Sequence, residues 1–135
     1  MAAEISVTGQ KKVGTLMTEF NERFPYLGLR LYQPEAKKVS GGLTSYRIDK
    51  DKTLASVRAA NASGGSISVS GNKKIKTLEQ EFDKVFGLYA QVCYCPKGCK
   101  PGSGYITVES EDEYTLYAFN EKCKKDGNNP YSYGN

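Results

Sequence analysis

ISVTGQKKVGTLMTEFNERFPYLGLRLY, residues 5–32, is followed 62 residues later by ISVSGNKKIKTLEQEFDKVFGLYAQVCY, residues 67–94; the two stretches agree at 12 of 28 positions. The shared residues include Ile5/Ile67, Val7/Val69, Gly9/Gly71, Lys11/Lys73, Lys12/Lys74, Thr15/Thr77, Leu16/Leu78, Glu19/Glu81, Phe20/Phe82 and Phe24/Phe86. A fixed internal period is the first clue to architecture, because each copy must fold as the same unit.

Within the copy the hydrophobic period changes twice. Ile5-Ser-Val-Thr alternates apolar and polar, the signature of a half-buried strand. Val13, Leu16, Phe20 and Phe24 then fall on one helical stripe, which Pro25 ends. Leu27, Leu29 and Leu31 alternate again and predict a second strand. After a loop with Pro34 and Gly41-Gly42, residues 44–48 predict a third strand, and a short helix follows from about Thr53. The second half repeats this plan. Its helix carries Ile75, Leu78, Phe82 and Phe86, Gly87 stands as the helix breaker, and Thr115-Leu116 echoes Thr53-Leu54.

Each half therefore reads β-α-β-β-α, and one half plus the next strand gives the order of a ferredoxin-like split βαβ unit. Tandem repeats of this kind predict an α+β fold with one six-stranded, mainly antiparallel sheet, ordered 2-3-1-1′-3′-2′. The strands at Ile5 and Ile67 meet at its centre, and four helices cover one face. The domain expected is residues 1–126, with repeat halves 1–62 and 63–126, since either half alone would bury too little surface. Residues 127–135, GNNPYSYGN, have turn and linker chemistry and predict a flexible tail.

With 135 residues, 39% apolar and 25% charged, the chain suits one globular domain; its net charge of +4 permits an acidic partner without requiring one. No apolar run is long enough to span a bilayer. The opening MAAEISVTG lacks the charged and hydrophobic regions of a secretory signal, so a cytoplasmic location is expected. There is no histidine, which removes the commonest general base and metal ligand together, and a non-catalytic protein is expected.

Three groups of residues could carry a function. On the open face of the expected sheet, Tyr26, Arg30, Tyr32, Arg47, Tyr89 and Tyr105 would offer aromatic planes and guanidinium groups. Such a face suits a protein partner or a homodimer seam first, and single-stranded nucleic acid, stacked on the tyrosines, second. A plainly solvated face is the alternative, because strands favour Tyr and Thr in any case. The lysine pairs Lys11-Lys12 and Lys73-Lys74 lie between a strand and a helix start, where a bound anion would be favoured. Lysines reaching into solvent give the competing reading. Finally, Cys93, Cys95, Cys99 and Cys123 could enclose a tetrahedral zinc ion, form disulfides or stay free. Their spacing departs from paired C-x₂-C knuckles.

Overall fold

The computed structural model describes residues 4–38, 46–99, 106–107 and 113–133. Its elements follow the predicted order except at the third strand expected over residues 44–48: residues 44–45 lie outside the described residues, and 46–48 form no strand, only a single bridge residue at Arg47. Strand β1 (Ile5–Val7) leads into helix α1 (Val13–Arg23), strand β2 (Leu27–Tyr32), a 3₁₀ turn (Pro34–Lys38) and the short helix α2 (Leu54–Val57). The second half supplies β3 (Ile67–Val69), α3 (Ile75–Phe86), β4 (Tyr89–Tyr94), β5 (Ile106–Thr107) and α4 (Leu116–Lys125). Pro25 and Gly87 close the two long helices in their own ways, Gly87 through a left-handed conformation with φ of 68°. None of the described helices is long and apolar enough to cross a membrane.

The strands do not form the single six-stranded sheet that the repeat suggested. β1 and β3 do pair antiparallel, Ile5 opposite Val69, but they make a two-stranded sheet of their own. A second, three-stranded sheet has the order β2-β4-β5. There β2 lies antiparallel to β4, with Leu27 opposite Tyr94 and Tyr32 opposite Tyr89. An isolated bridge from Tyr32 to Arg47 adds the chain around residue 47 to the far edge of β2. The halves thus meet through their second strands as well as their first.

Burial explains the difference. In the expected order β2 would have been an edge strand, yet all six of its residues are buried, as befits a strand covered on both faces. By contrast β1 and β3 are three residues long, with Ser6 and Ser68 exposed between buried neighbours. Strands so short offer little backbone for further neighbours.

One contiguous hydrophobic core joins the halves. It collects the helical stripes (Leu16 and Phe20 of α1, Leu78 and Phe82 of α3), the inner residues of β1 and β3, and Leu27, Leu29, Leu31, Ala90 and Val92. The opposite face of the three-stranded sheet carries Gly28, Arg30 and Tyr32 across from Cys93, Gln91 and Tyr89. That face was expected to be open. It is instead covered in part by residues 127–133, which composition alone had suggested were loose. Tyr131 is only 4% exposed, and its backbone N–H donates to the Pro25 carbonyl at 2.9 Å.

Candidate functional site

The chain's last described residues shape the outer side of β2. The Tyr131 ring packs against Gly28, so close that a Cβ at Gly28 would stand 2.1 Å from a ring carbon. Its hydroxyl accepts a hydrogen bond from Arg30 Nε at 2.9 Å. Tyr133 packs edge-on against Tyr131; its hydroxyl accepts from the Leu29 N–H at 3.0 Å and donates to the Met17 carbonyl at 2.9 Å. The Arg30 guanidinium sits 5.8 Å and 5.3 Å from the centres of these two rings, within cation–π range. Burial pushes both phenols above the ordinary tyrosine range. It also pushes the Cys93 thiol, wholly buried beside them, up to about 12, although the Arg30 charge works against that rise.

Between Tyr133 and residues 47–50 lies a cleft of about 400 Å³. Met17, Leu31 and Ile48 supply its apolar surface, while Arg30, Arg47 and Lys50 bring three cationic groups to it. Asp49 is the one carboxylate among the described residues of its lining, and that side chain already accepts the Asp51 N–H at 2.9 Å. The sequence places these groups together through register. Arg30 points outward because Leu29 and Leu31 point into the core, and the Tyr32–Arg47 bridge sets Arg47 alongside.

The other residues picked out in the sequence have different fates. Tyr32 is 1% exposed and pairs with Tyr89, ring centres 6.0 Å apart, so it is no open stacking platform. Tyr26 lies ahead of β2, half-buried against the core, with its N–H held by the Asn120 side chain. Tyr105 falls outside the described residues.

The repeated lysines also have structural work. Lys11 ion-pairs with Glu19, and Lys73 with Glu81, the same pair in each half. Lys12 is exposed, and Lys74 reaches Glu113 at 3.2 Å. Several amides at the helix starts behind them are already bonded. Val13 N–H donates to the Lys52 carbonyl and Gly14 N–H to that of Lys50, both at 2.9 Å, and Ile75 N–H donates to the Tyr114 carbonyl at 3.0 Å. Those three amides are taken by carbonyls and do not face an anion.

Nor are the four cysteines gathered as ligands. Cys95 and Cys99 are joined by a disulfide across the turn at Pro96, whereas Cys93 and Cys123 are buried and outside that bond. Cys123 belongs to the core cluster, while Cys93 faces the opposite side of the sheet. Among the described residues no three His, Cys, Asp or Glu side chains are grouped to hold a metal ion.

Tyr131 and Tyr133 were missed because Asn-Pro-Tyr-Ser-Tyr-Gly reads as a linker. Two signals pointed the other way: tyrosines spaced two apart share a face, and a glycine inside a strand marks close approach by another group. No protein-family model matches the chain, and neither does any curated protein or solved structure.

Proposed function

We propose that this chain is a non-catalytic binding module that takes an acidic side chain of a protein partner into the cleft beside Tyr133. The observation carrying this reading is the convergence of Arg30, Arg47 and Lys50 on one cleft whose described lining holds a single carboxylate, Asp49. Guanidinium groups favour carboxylates through paired, charge-assisted hydrogen bonds. The cleft's volume is near the small end of ligand pockets, which suits one side chain with its neighbours. Asp49 and Lys50 at its rim are exposed, so a ligand held inside can continue outward as a polypeptide. Single-stranded nucleic acid is less favoured, because Tyr32 is buried where stacking would need it open. The compartment that goes with this reading is the cytoplasm, where a bond such as Cys95–Cys99 would be transient.

A fluorescein-labelled hexaglutamate peptide, titrated by anisotropy beside its hexaglutamine counterpart, tests the proposal. Wild type should prefer hexaglutamate, and Arg47→Gln should weaken that binding about tenfold, the size of a lost charged hydrogen bond. Lys12→Gln, an equal loss of charge outside this cleft, should change it little. Equal losses in the two variants would reduce the effect to net charge. Tighter binding of an oligothymidylate than of hexaglutamate would reverse the choice of partner.

A further inference from the structure

The disulfide and the cleft are connected by a very short path. Residues 95–99 form a tight turn, with the Cys99 N–H donating to the Pro96 carbonyl at 2.8 Å and Gly98 at φ of 88°. Beyond α4 the chain is tied to that turn at three points. Asn129 N–H donates to the Cys95 carbonyl at 3.1 Å, the Asn129 side-chain amide donates to the Cys99 carbonyl, and the Asn128 side-chain oxygen accepts the Lys97 N–H at 3.2 Å. Asn128 N–H is also held by the Cys123 carbonyl at 3.0 Å, the end of the helix. Two residues beyond Asn129 Tyr131 covers Gly28, and four beyond it Tyr133 walls the cleft. The turn is therefore the footing from which the tyrosines are aimed.

We propose that the Cys95–Cys99 pair is a redox latch on the cleft: the closed disulfide holds the turn that positions Tyr131 and Tyr133, and reduction loosens them. The latch rests on the binding reading only for its consequence; the coupling of turn to tail stands without it. Cys99 is half-buried while Cys95 is buried, so a dithiol reductant meets the Cys99 sulfur first. One reductant thiolate attacks that sulfur, breaking the protein S–S bond and forming a mixed disulfide as Cys95 leaves as a thiolate. The second reductant thiol then attacks the mixed disulfide and releases Cys99. The protein gains two electrons and two protons, and the dithiol ends as its own disulfide. Cys93 takes no part, since it is buried under Tyr131 with its thiol held protonated.

Without the bond the turn can open, and the three contacts to Asn128 and Asn129 lose their fixed partners. Tyr133 and the tyrosine-held Arg30 are then no longer preorganised, so the closed form binds an acidic ligand more tightly than the open one.

Residue-resolved amide exchange on the full chain, oxidised and after dithiothreitol, tests this. Reduction should speed exchange at Asn129 and Tyr131 at least tenfold, leave Val92 in β4 unchanged, and weaken hexaglutamate binding several-fold. The Cys95→Ser/Cys99→Ser variant should behave as the reduced protein with or without dithiothreitol. Unchanged exchange at Asn129 and Tyr131 would overturn the latch, as would four free thiols in protein incubated with oxidised glutathione. Faster exchange with no hexaglutamate binding in either state would sustain the coupling and remove the binding reading instead.

Discussion

Gly28 shows how much one missing side chain decides. It sits inside a strand, where glycine ordinarily weakens packing, and the reason is the Tyr131 ring lying in the space a Cβ would take. Gly28→Ala must either displace the ring or shift the strand. We expect a loss of about 1–3 kcal/mol, read from the midpoint of urea unfolding. If the clash is the cause, adding Gly28→Ala to a Tyr131→Ala background should cost far less than in wild type, because the obstacle is gone. Additive losses would place the glycine's role elsewhere. Residue-scale burial of this kind was only half visible beforehand. Leu29 and Leu31 announced the inner face of β2, but nothing near Gly28 or Arg30 in the chain says that tyrosines about a hundred residues away pack against them.

Elements were the most legible scale, and the loop between β1 and α1 shows where that legibility ended. Gly-Gln-Lys-Lys and Gly-Asn-Lys-Lys recur because two loops lock together in each half. Leu54 and Ala55 donate to the carbonyls of Lys11 and Gly9, just as Leu116 and Tyr117 donate to those of Lys73 and Gly71. A Cβ at Gly9 would stand 3.0 Å from that of Ala55, so glycine allows the approach. Thr53 and Thr115 complete the motif as N-caps, accepting from Ser56 N–H at 3.2 Å and Ala118 N–H at 3.1 Å. Thr53→Ala and Thr115→Ala should each cost about 1 kcal/mol in thermal unfolding, with Ser at either position retaining most of it. No effect at either site would mean the caps are incidental. Periodicity found the strands and helices because it is local. It could not choose strand partners, since a repeat says which strands are equivalent and leaves open which of them touch. The decisive fact, burial of β2 on both faces, depends in part on a tail that composition described as flexible.

At the scale of the molecule, a shared hydrophobic core, strands paired between the halves and a C-terminal segment returned to the first half hold the halves together. Tyr131 and Tyr133 belong to that returned segment, since their partners are Pro25, Gly28, Leu29, Arg30 and Met17. Both phenols are raised by burial, in part against the Arg30 charge, and Cys93 beside them is raised as well. A group whose folded-state pKa is raised contributes stability below its unfolded value, and that contribution is lost as pH climbs toward the folded one. Unfolded tyrosines ionise near pH ~10, so from there upward the unfolded chain releases protons that the folded chain keeps, and the equilibrium moves toward unfolding. The guanidinium midpoint should therefore hold steady to about pH 9 and fall steeply beyond about pH 10. Tyr131→Phe/Tyr133→Phe should begin from a lower midpoint at pH 7, having lost its bonds to Arg30, Leu29 and Met17, and then decline less steeply. Tyrosinate absorbance should agree: the wild type should show two more tyrosines ionising only together with unfolding than the double variant, which lacks Tyr131 and Tyr133. Ionisation of all ten tyrosines in the folded protein would mean that the tail does not bind the halves as its contacts indicate.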